Sequence, residues 1–177
     1  MKPILQLIEE IFPYCKEIPA VDIELKDSVR KMCEQNRCGN YGKTWTCPPA
    51  VQSLTEFRSQ MLAFSRFIVV YKIYELKSDF DWNGMVAGCK AFQHDLVRLK
   101  RLFVSHGIME KYLVLGAGGC QLCDSCAYPQ GEPCRNPDDA IVSVEACGID
   151  VMSLVKNHGL KYYNGPNTVT YIGGIAC

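Results

Sequence analysis

The stretch KYLVLGAGGCQLCDSC, residues 111–126, joins an apolar segment to a glycine-rich loop that carries three of the chain's eleven cysteines. Residues 111–115 predict a strand, and this strand leads directly into the loop. Open α/β sheets place their ligands at the C-terminal ends of strands, so we expect a binding site here. The loop, residues 116–136, contains a fourth cysteine after seven intervening residues, and its thiols are those of Cys120, Cys123, Cys126 and Cys134.

The spacing of these four cysteines favours an iron–sulfur cluster. Thiolates select iron–sulfur clusters, zinc or Cu(I), and the C-x2-C-x2-C spacing is typical of the loops that wrap a cubane in bacterial ferredoxins. Zinc more often uses separated C-x2-C pairs. Arg135 follows Cys134 where the ferredoxin pattern has proline, so the loop is not a ferredoxin repeat. We therefore predict a cluster of the 4Fe-4S type, with zinc as the alternative occupant.

A second cysteine group lies nearer the N-terminus, in RKMCEQNRCGNYGKTWTCPP, residues 30–49. Its glycines and its proline pair predict a folded loop rather than a long helix. The group supplies three thiols, those of Cys33, Cys38 and Cys47. Such a site needs a fourth cysteine, a ligand of another type or an open position, and we predict a second metal site there. A single cluster placed between the two groups is the alternative.

Basic residues accompany this second group; they are Arg30, Lys31, Arg37 and Lys43. Their positive charge is expected to offset an anionic thiolate cluster and to lower the pKa values of the thiols. A solvated basic face is the alternative interpretation.

The cysteine content also indicates the compartment. Eleven cysteines, with acidic residues where a signal peptide needs an apolar centre, predict a reducing location, the cytoplasm, and metal ligation rather than disulfides. The cysteines outside both groups are interpreted as small core residues, because free cysteine is among the most buried residue types. They are Cys15, Cys89, Cys147 and Cys177.

Length and charge narrow the class of protein. The 177 residues, 48% of them hydrophobic, predict a single domain over residues 1–177. Nineteen basic and nineteen acidic side chains cancel, so neither nucleic acid nor an anionic membrane is an expected partner. The longest apolar run is too short to cross a bilayer. The predicted parts are a first cysteine-rich loop at 30–49, an α/β core at 50–116 and 137–177, and a second cysteine-rich loop at 116–136.

The core elements predict an α/β fold. Residues 66–76 are rich in β-branched and aromatic residues, as in a strand, and residues 85–106 show the period of a long helix. With the strand at 111–115 they form a βαβ pattern, for which parallel pairing is expected. The predicted fold class is therefore α/β, with a small mixed or parallel sheet, flanking helices and two cysteine-rich metal-binding loops. A further strand is expected at residues 168–175.

Shorter elements complete this prediction. Helices are expected at residues 2–12 and 51–64, and residues 20–26 alternate apolar and polar positions, as a strand does. Asp150 is in position to cap a helix that ends near Asn157.

Other chemistry has weaker support in the sequence. The segment GAGG lacks the G-x-G-x-x-G and Walker patterns of phosphate-binding loops. Glu145 and Asp150 are candidates for a carboxylate pair, although capping and solvation explain them better.

Three segments together resemble a known family: CEQNRCGNYGKTWTCPP, GAGGCQLCDSCAYPQGEPCRNP and SVEACGIDV. They are similar to the DUF2284 family, small cysteine-rich predicted metal-binding proteins of unknown function found largely in anaerobic microbes. The resemblance implies metal binding and no established reaction. The ligands it implies are Cys33, Cys38, Cys47, Cys120, Cys123, Cys126 and Cys134.

The leading functional hypothesis is an iron–sulfur protein that transfers electrons or has an accessory redox role in anaerobic metabolism, with one or two clusters and a redox partner protein. A cluster with an open iron at the three-cysteine group would make the protein an enzyme. Zinc acting as a structural staple is the third hypothesis.

Overall fold

The computed structural model describes residues 3–108 and 111–177 of the chain. Its centre is a sheet in which every pair of neighbouring strands is antiparallel. The strands are β1 (Tyr14–Pro19), β2 (Arg66–Glu75), β3 (Leu113–Leu115) and β4 (Thr168–Ala176), in the order β1-β2-β4-β3.

Five α-helices occur in the described residues: α1 (Ile4–Glu9), α2 (Asp27–Glu34), α3 (Leu54–Met61), α4 (Trp82–Ser105) and α5 (Val151–Asn157). Short 3-10 turns occupy Ala20–Asp22 and Tyr128–Gln130. The mixed α/β class is thereby confirmed. Residue 2 of the predicted helix 2–12 lies outside the described residues.

The predicted parallel pairing is wrong. The strand, helix and strand of the βαβ pattern all form, and β2 and β3 point in the same direction, but β4 lies between them and is antiparallel to both. Two glycines of β4 allow it to pack closely between β2 and β3. A Cβ at Gly174 would lie 2.1 Å from the Phe67 ring, and one at Gly173 would lie 2.5 Å from the Leu115 carbonyl oxygen. The C-terminal strand therefore takes the place that a parallel pair would have filled.

The strand β2 is buried on both faces of the sheet, which explains its long apolar run. Ile68 and Val70 belong to a core that includes residues of α1 and α4. Phe67 and Val69 belong to a second core that includes residues of α3 and α5. The sheet thus lies between two helical layers.

The strand predicted at residues 20–26 is also wrong. Its first half forms the 3-10 turn, and Leu25 makes only an isolated antiparallel bridge with Ile149. The strand lies just before it, at β1, because that segment pairs with β2 along its whole length and buries Ile18.

Hydrogen bonds at the end of β3 set the position of both cysteine-rich loops. The Gly116 N–H donates to the Val142 carbonyl at 2.8 Å, and the Val144 N–H donates to the Gly116 carbonyl at 2.9 Å. Residues 142–144 therefore run alongside the start of the second cysteine-rich loop. Helix α2, which carries Cys33, is attached to the same region by Arg30, whose guanidinium donates to the Ala146 carbonyl.

Within the described residues, no helix combines the length and the apolar character that crossing a bilayer requires.

Candidate metal centre

The four cysteines of the second group surround one cavity of about 360 Å³; they are Cys120, Cys123, Cys126 and Cys134. All four thiols are free and half-buried. The first cysteine-rich loop also lines this cavity, through residues that include Asn40 and Thr46. The structure therefore brings the four predicted ligands together at one cavity.

A buried glutamine on α4 holds the start of this loop. The Gln93 side-chain nitrogen donates to the carbonyl oxygens of Ala117 at 3.0 Å and Gly119 at 2.5 Å, and its oxygen accepts from the Gln121 N–H at 2.9 Å. Gln93 is only 6% exposed. Sequence reasoning missed this residue. The signal that could have found it is a polar side chain among the apolar positions of a long helix.

The side-chain amide of Asn136, two residues after Cys134, faces a candidate ligand, Cys123. The Asn136 side-chain nitrogen donates to Cys123 Sγ at 3.2 Å. Arg135, one position earlier, donates to the Ser125 carbonyl at 2.9 Å and fixes the middle of the loop. Hydrogen bonds to sulfur are among the features that set the potential of an iron–sulfur cluster. The cavity wall thus offers both sulfur ligands and a donor to them.

Burial raises the pKa of the Cys120 thiol, and the neighbouring thiolates of Cys123, Cys134 and Cys126 raise it further. Ligands bind metal only when deprotonated, so metal loading must release protons. The crowding of thiolates that raises this pKa is relieved when a cation binds among them.

The first cysteine group lines a second cavity, of about 290 Å³. Cys33 comes from the last turn of α2, Cys38 is exposed, and Cys47 is buried. Glu145 also lines this cavity, with Gly118 from the other loop. Three cysteines and one glutamate therefore line the same space.

Burial favours the neutral form of Glu145 and raises its pKa, while interactions with the Ser143 hydroxyl and the Gly118 N–H oppose that rise. The sequence favoured capping or solvation over a carboxylate pair for Glu145, and Glu145 caps none of the described helices. Asp150 does cap α5, as predicted, by accepting from the Ser153 N–H at 3.1 Å. The two carboxylates therefore serve different parts of the fold.

The expected lowering of thiol pKa values by basic residues is wrong for Cys33 and Cys47. Burial is the largest influence on each and raises both pKa values. The Arg30 guanidinium lowers the pKa of Cys33 but is the weakest of its influences, and the hydroxyls of Thr44 and Thr46 lower that of Cys47. At Cys33, desolvation therefore outweighs the positive charge of Arg30.

The two cavities adjoin but have separate ligands. Thr46 lines the four-thiol cavity, while its neighbour Cys47 lines the three-thiol cavity. Likewise, Cys120 lines the four-thiol cavity and its neighbour Gly119 lines the three-thiol cavity. Trp45 joins the loops by donating to the Glu132 carbonyl at 3.0 Å. One cluster placed between the two groups stays an alternative prediction.

The residues that line the two cavities determine which kind of metal group fits there. Within the part of the chain that the structure describes, no group of three or more His, Cys, Asp or Glu side chains is arranged to hold a single metal ion. The thiols instead surround cavities with room for an occupant of several atoms. Sulfur donors around such a space, with an N–H directed at one sulfur, fit an iron–sulfur cluster.

The remaining cysteines line neither cavity among the described residues. Cys147 is buried, which raises its pKa. Cys89 lies behind the four-thiol loop, where its Sγ is 3.7 Å from the Ala117 carbonyl oxygen. Cys15 packs against the core of α1 and α4.

Fold and site together define a cysteine-rich α/β protein in which two adjoining thiol-lined cavities lie beside the end of a strand. A family model described as "Predicted metal-binding protein (DUF2284)" matches residues 16–176, and the chain belongs to this family. All seven cysteines of the two groups fall within the matched residues. Neither the curated proteins nor the solved structures contain a match to the chain.

Proposed function

We propose that this metal-binding protein is an iron–sulfur protein that transfers single electrons through a 4Fe-4S cluster on Cys120, Cys123, Cys126 and Cys134. The observation that carries the proposal is the arrangement of four free thiols around one cavity. Four thiolates complete the protein ligands of such a cluster. A centre without an open position suits electron transfer better than substrate binding.

The three-thiol cavity is the second metal site of the proposal. Its donors leave one position without a thiolate, which is the requirement for a site that binds a substrate or an exchangeable ligand. The two cavities meet where Thr46 adjoins Cys47 and where Gly119 adjoins Cys120. A centre at the four-thiol cavity is therefore well placed to exchange electrons with one at the three-thiol cavity, and this favours an open-site enzyme as the second candidate function.

The proposal includes a reducing setting and an external redox partner. The seven cysteines of the two groups are free thiols, and clusters held by exposed or half-buried thiols survive best where oxygen is scarce. We infer a cytoplasmic protein of anaerobic metabolism that receives electrons from another protein.

The test is to purify the protein without oxygen, measure iron and acid-labile sulfide per chain, and record EPR spectra before and after reduction. The expected result is a brown protein whose reduced form gives a cluster signal. Cys126→Ser is expected to abolish the signal of the four-thiol cluster, whereas Cys15→Ser, outside both cavities, is expected to retain it.

Two outcomes would contradict the proposal. A colourless protein with stoichiometric zinc and no sulfide would assign the sites to structural zinc. An iron signal that survives Cys126→Ser and Cys134→Ser unchanged would show that the four-thiol cavity is not the cluster site.

A further inference from the structure

We propose that Glu145 is the fourth protein ligand of the three-thiol site and that its carboxylate is the ligand that a small-molecule substrate replaces. The inference rests on the proposed function, because it assumes that Cys33, Cys38 and Cys47 hold a metal centre. It adds a residue from a distant part of the chain and identifies the exchangeable position.

The backbone places Glu145 at this site. Residues 142–144 pair with Gly116 at the end of β3, through the hydrogen bonds of 2.8 and 2.9 Å described above. The chain therefore delivers residue 145 to the base of the cysteine-rich loops, where it lines the cavity with the three thiols. Cys33 Sγ lies 4.0 Å from the Glu145 carbonyl oxygen, which shows how closely α2 packs on this segment.

The charge of Glu145 has no basic partner within residues 3–108 and 111–177, where none of the salt bridges includes it. The nearby guanidinium of Arg30 donates instead to the carbonyl oxygens of Gln52 and Ala146. Glu145 is half-buried, and its carboxylate interacts with two neutral groups, the Ser143 hydroxyl and the Gly118 N–H. Burying a negative charge is costly unless a positive partner or a metal compensates. A metal centre held by the three thiols supplies that compensation within the same cavity.

Ligand chemistry explains why this position exchanges. Thiolates are soft ligands that iron–sulfur centres prefer, whereas a carboxylate oxygen is a hard ligand. Among three sulfur donors and one oxygen donor, the oxygen is the most readily replaced. The cavity is reachable from solvent, since Cys38 in its wall is exposed. The class of ligand that would enter is a small molecule with a thiolate or carboxylate donor.

The experiment uses apo-protein reconstituted anaerobically with iron and sulfide, and compares the parent chain with Glu145→Gln, Glu145→Cys and Glu34→Gln. Glu34 is an exposed residue of α2 next to Cys33, so its substitution removes the same charge outside the cavity. Iron and sulfide per chain, EPR spectra and melting curves are measured for each, with and without 2-mercaptoethanol as the exchange probe.

The expected result is two clusters in the parent chain and in Glu34→Gln, with one EPR signal altered by the thiol probe. Glu145→Gln is expected to lose at least tenfold in the affinity of the three-thiol site while keeping the four-thiol signal, which also shows that the variant folds. Glu145→Cys is expected to keep both clusters and to lose the response to the probe, because a fourth thiolate now holds the exchangeable position.

Retention of both clusters and of the probe response in Glu145→Gln would overturn this inference and leave the proposed function standing. An unchanged probe response in Glu145→Cys would overturn it as well. A parent chain that takes up no cluster at all would overturn the proposed function itself, and this inference with it.

Discussion

The two cavities are built in different ways. The four-thiol cavity takes all its sulfur ligands from one loop of residues 116–136, directly after β3. The three-thiol cavity draws its wall from α2, from the loop that follows it, and from a segment more than a hundred residues away that contains Glu145. The difference teaches that a local loop reveals its ligands in the sequence, whereas a site assembled from distant segments reveals only part of them.

The contacts that hold the two cavities in place also differ, being local for one cavity and spread over separate elements for the other. A single buried side chain, Gln93, fixes the start of the four-thiol loop through three backbone hydrogen bonds. The three-thiol site depends on contacts between separate elements, above all on Arg30, which joins α2 to the carbonyl oxygens of Gln52 and Ala146. Breaking one support at a time should therefore affect one cavity at a time.

The largest effect is expected from Gln93→Leu. The change leaves two carbonyl oxygens and one N–H without their side-chain partner. The three groups together cost about 3 to 9 kcal/mol of unfolding free energy, since each such group costs roughly 1–3 kcal/mol. We expect loss of the four-thiol cluster as well, measured by iron and sulfide content and by urea unfolding.

Gln60→Leu is the matched control for Gln93→Leu. The side-chain oxygen of Gln60 on α3 is buried and has no hydrogen-bond partner, so the same change there removes no bond to that oxygen. Equal losses in both variants would show that the hydrogen bonds of Gln93 are not what holds the loop.

Arg30→Met should act on the other cavity. The Ala146 carbonyl, in a residue only 1% exposed, then loses its guanidinium donor, at a cost of about 1 to 3 kcal/mol. We expect the three-thiol site to lose its metal while the four-thiol EPR signal persists. Lys31→Met, at the exposed neighbouring position, should change neither. Loss of both signals in Arg30→Met would mean that the two cavities do not depend on separate supports.

The same contrast shows how far the sequence could predict the fold. Periodicity and β-branched content identified β2, α4 and β4 because these signals are local: the predictions of residues 66–76, 85–106 and 168–175 agree with the structure to within a few residues. Strand order is not local. Nothing in the pattern of β4 shows that it lies between β2 and β3, since that placement depends on close packing of Gly173 and Gly174.

The same difference between local signals and distant contacts applies to the candidate site. Spacing identified the seven cysteines as candidate ligands, and the structure gathers them into two cavities. Sequence reasoning missed Gln93 and did not place Glu145 beside the three cysteines, because each of them meets residues far away in the chain. It also expected basic residues to lower the thiol pKa values, but burial, which depends on the folded chain, has the larger effect on Cys33.

Asp150→Ala is expected to have a smaller effect, on the stability of α5. Asp150 caps α5 and pairs with Lys26 at 3.0 Å, and loss of such a cap costs about 1 kcal/mol. These contacts lower the pKa of Asp150 to about 2. Because the folded pKa is below the unfolded value of about 3.9, the stabilisation is complete above that value and is lost as the pH falls toward 2.

The measurement for Asp150→Ala is the free energy of unfolding of the parent chain and the variant between neutral pH and about pH 2, with the two curves expected to converge at the acidic end. Glu24→Ala is the control, since Glu24 also pairs with Lys26 but is mostly exposed and caps no helix. A difference that persists undiminished at the lowest pH would contradict the assignment.

The smallest effect is expected from Asn136→Ala, which removes the N–H donated to Cys123 Sγ and leaves the backbone turn at Asn136 in place. A hydrogen bond to sulfur stabilises the more negative, reduced cluster, so its loss should shift the potential to more negative values. A bond worth ~1 kcal/mol corresponds to about 40 mV for one electron. Redox titration followed by EPR measures the shift. Asn40→Ala is the control, because Asn40 lines the same cavity but donates to the Cys38 carbonyl. The expected result is that Asn136→Ala shifts the potential of the cluster that Cys126→Ser removes, and that Asn40→Ala shifts no potential. This result would assign that cluster to the four-thiol cavity.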